Sequence, residues 1–102
     1  MVTVGASSLE PLDVAILSSA SFDAPAQVDT SSLTFGHTGS EPSLVSCRSN
    51  PLDVNGDGLN DLICSFTVRA GGFVPGDTHA VLHGKTLSGT SIVGTAPISV
   101  VP

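Results

Sequence analysis

The sequence predicts an all-β protein, built as a single antiparallel β-sandwich of about seven strands. Apolar residues occur in short runs rich in β-branched side chains, and turn residues separate these runs at intervals of about ten residues. The 102 residues include 11 Gly and 7 Pro but only 12% charged side chains, which argues against long amphipathic helices and α/β enzymes. A chain of this length forms one domain, which we expect to span residues 1–102.

The clearest strand signal is an alternation of period two over residues 62–69. Its inward-facing positions are Leu62, Cys64, Phe66 and Val68. The same pattern predicts that Val45 and Cys47 face inward on a strand over residues 45–48. Further strands are predicted over residues 2–4, 12–17, 33–35, 78–82 and 92–100. A single helical turn is expected over residues 24–28, capped by Asp23 and with Pro25 at its first position.

The net charge of −6 excludes several classes of partner. Binding of nucleic acid or of an anionic membrane requires clustered Lys and Arg, and this chain has three such residues in total. No apolar run approaches the roughly 20 residues that span a bilayer. The first residues already have a strand-like pattern, so we expect a module of a longer exported protein that contacts neighbouring domains.

The most informative segment is residues 53–61, which read D-V-N-G-D-G-L-N-D. Its candidate metal ligands are Asp53, Asn55, Asp57, the backbone carbonyl of Leu59, and Asp61. Calcium requires six to eight oxygen ligands, and alternate positions of a tight loop can direct oxygens at one centre, with Gly58 permitting the sharp bend. The alternative is an acidic, solvated hairpin loop, because Asn-Gly and Asp-Gly pairs are common hairpin turns. The register of four acidic or amide side chains favours the calcium site.

The segment is not an EF-hand, because the twelfth residue is Cys64 rather than a bidentate Glu. Both flanks are strand-like, so we expect the loop to join two strands. Water, Glu41 or Asp77 would then supply the missing ligand. The expected dissociation constant is on the order of 10⁻⁴–10⁻³ M, as in extracellular modules, and magnesium is a poorer fit.

The loop is similar to the aspartate-rich calcium loops of integrin-type FG-GAP repeats, thrombospondin type 3 repeats and dockerins. Dockerins are the poorer match, because they are helical and carry two such loops. Several segments of the chain also resemble a module that recurs in large secreted bacterial and archaeal proteins. These segments are residues 14–17, 22–24, 33–36, 53–62, 76–78 and 84–86. The resemblance implies a calcium-loaded β-sandwich beside catalytic or adhesive domains, and we expect an immunoglobulin-like or cohesin-like type.

Cys47 and Cys64 bracket the loop on two strand-like segments. Opposed residues on neighbouring antiparallel strands come within the Cα separation of about 4.4–6.8 Å that a disulfide needs. Two buried free thiols are the alternative. An oxidising, calcium-rich exterior would suit a disulfide, and the absence of a Cys-x-x-Cys pair argues against zinc.

The remaining residues do not indicate catalysis. His79 and His83 lie about 13 Å apart on a strand, so we expect two surface histidines, and His37 is expected to be exposed in a turn. No G-x-S-x-G elbow is present, and the chain is expected not to be an enzyme.

We therefore expect a secreted, monomeric, calcium-binding structural module. A calcium-dependent carbohydrate-binding or adhesive module is the alternative, but it needs exposed aromatic rings. The chain has four phenylalanines, at positions 22, 35, 66 and 73. Phe66 and Phe35 are expected to be inward-facing, and only Phe73 is a candidate for an exposed contact, with packing under its own loop as the alternative.

Overall fold

The computed structural model describes residues 2–50 and 52–102, and it contains seven strands in two sheets, as an all-β fold requires. The strands are β1 (Val2–Gly5), β2 (Pro11–Ile16), β3 (Val28–Gly36), β4 (Leu44–Cys47), β5 (Leu62–Thr67), β6 (His79–Thr86) and β7 (Ser91–Val101). A short helix, α1 (Ala24–Gln27), precedes β3, and a 3-10 turn (Arg69–Gly71) follows β5. The all-β prediction is confirmed.

The first sheet has the strand order β1-β7-β6-β3, and the second has the order β2-β5-β4. Four of the five strand pairings are antiparallel, but β1 runs parallel to β7, with Val2 opposite Ile98 and Gly5 opposite Val101. The prediction of a wholly antiparallel arrangement is therefore wrong at β1. The chain leaves β1 in one sheet and enters β2 in the other, so β1 pairs with the last strand rather than with its neighbour in sequence.

Apolar side chains from both sheets form one buried cluster. Its centre contains the rings of Phe35 and Phe66, whose centroids are 4.9 Å apart, and Phe73 meets Phe35 edge-on at 5.9 Å. Burial of each such side chain contributes about 1.5–3 kcal/mol. The inward-facing positions predicted over residues 62–69 are all buried, and so is Ile63.

Strand β4 departs from the predicted alternation. Val45 is 56% exposed, although the sequence pattern places it inward. The register shifts between Leu44, which lies opposite Phe66, and Ser46, which lies opposite Ser65. Val45 is thus the extra residue of an irregularity of the bulge type, and such a residue changes which side chains face the core.

The helical turn forms where it was predicted, but its first turn is held differently. Asp23 makes no side-chain capping bond, and Pro25 occupies the second helical position. The backbone N–H of Ala24 donates instead to Ser18 Oγ at 2.9 Å, and the backbone N–H of Asp23 donates to Gln27 Oε1 at 2.7 Å. The predicted cap is therefore wrong, and the hydroxyl of Ser18, just after β2, accepts the first N–H of the helix.

Candidate calcium loop

The segment of residues 53–61 connects β4 to β5 and is called the Asp53–Asp61 loop below. Pairing continues past the ends of the two strands, since Arg48 N–H donates to the carbonyl of Ile63 at 2.8 Å. Leu52 and Asp61 then form an isolated antiparallel bridge. The loop therefore joins two strands, as predicted.

Cys47 and Cys64 form a disulfide at the base of this loop, which confirms the predicted pairing. The two residues lie directly opposite each other on β4 and β5, with their Cα atoms 3.9 Å apart, slightly closer than the expected range. Cys64 is completely buried. The cross-link fixes the separation of the two strand ends from which the loop departs.

Asp53, the first of the candidate ligands, organises the loop around its carboxylate. Its Oδ1 accepts the backbone N–H of Gly56 at 2.9 Å, and its Oδ2 accepts that of Gly58 at 2.8 Å. The bond from Gly58 is the main reason that the pKa of Asp53 lies below its ordinary value, with Gly56 adding to the effect. Gly58 has φ = +83°, a left-handed conformation that side chains oppose, which explains why glycine occupies this position.

Asn55 and Asp57 lie on the exposed part of the loop. Asp57 Oδ1 accepts the backbone N–H of Leu59 at 2.9 Å, and Asn55 Oδ1 accepts that of Asp57 at 3.4 Å. Leu59 is half-buried, so its side chain packs partly on the domain while its backbone stays in the loop.

Asp61, the last candidate ligand, has a position that the sequence did not indicate. Its side chain is completely buried. Oδ1 accepts the backbone N–H of Ser18 at 2.8 Å, and Oδ2 accepts that of Val54 at 3.0 Å. The hydroxyl of Ser18 in turn donates to the carbonyl of Asn60 at 2.7 Å. Asp61 thus ties the end of β2 to both ends of the loop.

The candidate ligands do not form a ready-made metal site. Within residues 2–50 and 52–102, no group of three or more His, Cys, Asp or Glu side chains is placed so that it could hold a metal. The carboxylates of the loop accept backbone N–H groups, and Asp61 faces the interior. The chemistry of the set nevertheless fits calcium, because every candidate ligand atom is a hard oxygen and each carboxylate oxygen has a second lone pair.

The structure does not support Glu41 or Asp77 as the missing ligand. Both lie beyond the other end of the β4–β5 pair, where Thr67 N–H donates to the carbonyl of Ser43 at 2.8 Å. Glu41 accepts the backbone N–H of Gly39 at 2.9 Å and the hydroxyl of Thr38 at 2.8 Å. That suggestion is wrong because the strand pair separates these carboxylates from the loop.

Asp77 forms part of a second polar cluster, which sequence reasoning missed. Its Oδ2 lies 2.7 Å from His37 Nδ1 and accepts the backbone N–H of Val74 at 2.9 Å. The bond from Val74 is the main cause of the lowered pKa of Asp77, to which His37 adds. His37 is exposed, as expected, and the 40-residue separation of the pair explains why no local pattern indicated it.

The other residues singled out from the sequence are distributed over the surface and the core. His79 is exposed and His83 is partly buried, on either side of Val81. Phe73 is 5% exposed, so the alternative in which it packs under its own loop is correct.

A surface cavity of about 520 Å³ adjoins the Asp53–Asp61 loop. Its lining includes residues 58–60 of the loop together with Phe22, Asp23 and Pro25. Phe22 is half-buried, whereas Phe35, Phe66 and Phe73 are buried. Phe22, rather than the predicted Phe73, is therefore the partly exposed phenylalanine, and it lines this cavity while packing against the core.

Comparison of the chain with protein-family models, with curated proteins and with solved structures gives no match. In the part of the chain that the structure describes, no helix has the length and apolar character needed to cross a membrane.

Proposed function

We propose that the protein is a non-catalytic, calcium-binding structural module of an extracellular multidomain protein. The observation that carries this proposal is the order of oxygen-bearing residues in the Asp53–Asp61 loop, on a loop whose base is fixed by a disulfide. Asp53 and the exposed Asn55 and Asp57 would bind the ion, with the carbonyl of Leu59 and the buried Asp61 completing the protein's contribution. The bound ion would neutralise carboxylates that otherwise repel one another.

Two features of the loop support the proposal. The hydrogen bonds from Gly56 and Gly58 stabilise the ionised form of Asp53, which is the form that binds a cation. The Cys47–Cys64 bond reduces the conformational freedom that the loop must lose on binding. A disulfide in a small domain also fits an oxidising compartment, where calcium is abundant, and this supports an extracellular location.

Calcium titration followed by thermal unfolding tests the proposal. An ion that binds only the folded state stabilises it by RT ln(1 + [L]/Kd), or about 2.7 kcal/mol at a hundredfold excess over Kd. We expect calcium to raise the melting temperature of chelator-treated protein. Asp57→Ala should abolish this response, because Asp57 is exposed and the substitution removes a ligand without disturbing the core.

Glu10→Ala is the matched control, because Glu10 is an exposed carboxylate just before β2, and β2 begins at the other end of the β4–β5 pair. This variant should keep the full response to calcium while changing the net charge by the same amount. The proposal is wrong if calcium leaves the melting curve of the wild-type protein unchanged up to about 10 mM, above the range expected for extracellular modules.

A second candidate function is calcium-dependent carbohydrate binding, and the cavity beside the loop favours it. The cavity brings the ring of Phe22 next to residues 58–60, so a sugar could stack on the ring while its hydroxyls approach an ion in the loop. A glycan array with and without calcium tests this function. Binding that needs both calcium and Phe22 would support it, and no binding to any glycan would leave the structural role.

A further inference from the structure

Strand β7 is much longer than the strand that covers its outer edge. β7 contains 11 residues, whereas β1 pairs only with the last four, from Ile98 to Val101. Among residues 2–50 and 52–102, no strand pairs with residues 91–96 on this side.

The uncovered edge of β7 carries backbone groups that point away from the sheet. Ile98 N–H donates to the carbonyl of Thr78 next to β6, whereas the carbonyl of Val101 accepts from Ala6 on the side of β1. Because backbone groups alternate along an antiparallel strand, Val93 and Thr95 share the orientation of Val101. Their N–H and C=O groups are therefore directed towards the uncovered edge, which is a template for another strand.

An apolar groove runs along this edge, between β7 and β2. Two adjoining cavities of about 310 and 200 Å³ form it, and both have Phe35 and Ala80 among their lining residues. Residues 14–17 and 92–96 line the first cavity, and residues 12–15 and 96–98 line the second. β2 is itself the edge strand of its sheet. The groove thus separates the edge strand β2 of one sheet from the part of β7 that β1 leaves uncovered in the other sheet.

Core-facing side chains are incompletely covered along this groove. Leu12, Val14 and Ile92 pack against the buried cluster but are only partly buried, whereas Leu62 and Phe66 on the central strand β5 are 5% and 0% exposed. At the mouth of the groove, Leu17 and Val93 are 50% and 68% exposed. A strand in the groove would remove this apolar surface from water and would pair the outward backbone groups of β7.

The net charge of the protein favours some kinds of strand over others as occupants of the groove. The chain carries a net charge of −6, so it repels an acidic segment and also a second copy of itself. A neutral or basic segment with apolar side chains at alternate positions satisfies both the charge and the period of a strand. A strand that runs parallel to β7 would continue the existing β1–β7 pairing along this edge.

We propose that the groove between β2 and β7 receives a β-strand from a partner polypeptide, added parallel to β7 in line with β1. The strand pairs with the outward N–H and C=O groups of Val93 and Thr95. Its inward side chains cover Val14 and Ile92. This interaction surface does not depend on calcium.

The test uses the full chain and a synthetic peptide, acetyl-Lys-Thr-Val-Thr-Val-Thr-Val-Lys-amide, which is extended, basic and apolar at alternate positions. Binding is measured by calorimetry, and amide hydrogen exchange is measured by NMR in the presence of chelator. We expect saturating peptide to slow exchange at Val93 and Thr95, with little change at the outer edges of β3 and β4.

Two variants test whether the peptide binds in the groove. Thr95→Pro removes an outward donor that the sheet itself does not use, and Ala15→Glu introduces a charge at an exposed position that lines both cavities. Each should weaken binding at least about tenfold, or about 1.4 kcal/mol. Ala70→Glu, at an exposed alanine of the 3-10 turn, is the matched control and should bind normally.

Three outcomes would overturn the proposal. The first is the absence of peptide binding, and the second is protection at the edges of β3 or β4 instead of β7. The third is protection of Val93 and Thr95 without peptide that increases with protein concentration, because a second copy of the chain would then occupy the groove.

Discussion

The two ends of the β4–β5 pair are each organised by a carboxylate that accepts backbone N–H groups, but the partners of the two carboxylates differ. At one end, Glu41 accepts from residues two and three positions earlier in the sequence, Gly39 and Thr38. At the other end, Asp61 accepts from Ser18, which is 43 residues away, and from Val54.

This difference indicates that Glu41 stabilises only its own turn, whereas Asp61 stabilises the whole domain. The bonds of Glu41 shape a single turn, which can open without separating the two sheets. The bonds of Asp61 connect the end of β2 to the segment that enters β5, and they lie in the interior. Loss of Asp61 should therefore affect unfolding of the whole domain, whereas loss of Glu41 should affect mainly its own turn.

The largest effect is expected for Asp61→Ala. The substitution removes two hydrogen bonds to a charged group, each contributing about 1.5–3 kcal/mol, and leaves the buried N–H of Ser18 without its acceptor. We expect a loss of roughly 3–5 kcal/mol in the free energy of unfolding, measured by urea denaturation in the presence of chelator. A small domain has about 5–15 kcal/mol in total, so the variant should be close to unfolding at 37 °C.

Asp57→Ala provides the comparison within the same loop. Without calcium it should change the free energy of unfolding by less than about 0.5 kcal/mol, because the side chain is exposed. Equal losses for the two variants would show that Asp61 is no more important to folding than a surface carboxylate.

Reduction of the Cys47–Cys64 bond should have the next largest effect. A disulfide that closes a loop of about 15 residues contributes about 3 kcal/mol in the chain-entropy model. Reduced wild-type protein keeps the packing of Cys64, so its loss of stability in urea measures the cross-link alone. We expect reduction to weaken calcium binding too, because the ends of the loop are then less restrained.

The double variant Cys47→Ala/Cys64→Ala cannot form the disulfide, so it is the reference for fully reduced protein. It should be slightly less stable than the reduced protein, because Cys64 is completely buried and truncation leaves a cavity. Identical unfolding midpoints for oxidised and reduced protein would show that the disulfide does not stabilise the fold.

Features set by local pattern were predictable from the sequence, and those set by distant contacts were not. The alternation around Phe66 predicted β5 and its buried face, and the parity of Cys47 and Cys64 predicted their bond. The bulge at Val45 was not predictable, because an extra residue changes the parity without a distinctive sequence signal.

The same limit applies to the candidate site. The spacing of Asp53, Asn55 and Asp57 identifies an Asp-rich loop, but it cannot show that Asp61 is buried. That position depends on Ser18, which lies just after β2 in another part of the chain. The pairing of His37 with Asp77 is likewise a contact between distant segments. The calcium ion itself stays a prediction.

A smaller effect than those of Asp61 and of the disulfide is expected for the carboxylate of the Glu41 turn, and it should depend on pH. Burial raises the pKa of Glu41, but the hydrogen bonds from Thr38 and Gly39 outweigh this and hold the pKa below its ordinary value of 4.5. Because the pKa is lower in the folded state, the ionised carboxylate stabilises the fold above about pH 4.5, and this contribution is lost as the pH falls through the folded-state value.

Glu41→Gln should therefore cost about 1 kcal/mol at pH 7, because one oxygen that accepts N–H groups becomes an amide that cannot accept them. The difference between the variant and the wild-type protein should shrink as the pH falls from 5 towards 3, since protonation removes the same charge from the wild-type carboxylate. Glu10→Gln, at an exposed position, is the control and should track the wild-type protein throughout. Thermal unfolding across this pH range measures the effect, and exchange of the Gly39 amide reports the turn directly. If the stability difference between Glu41→Gln and the wild-type protein does not depend on pH, Glu41 acts through its packing beneath Gly36 and Gly72 rather than through its charge. Glu41 and Asp61 would then differ in how they pack and not in the hydrogen bonds they accept.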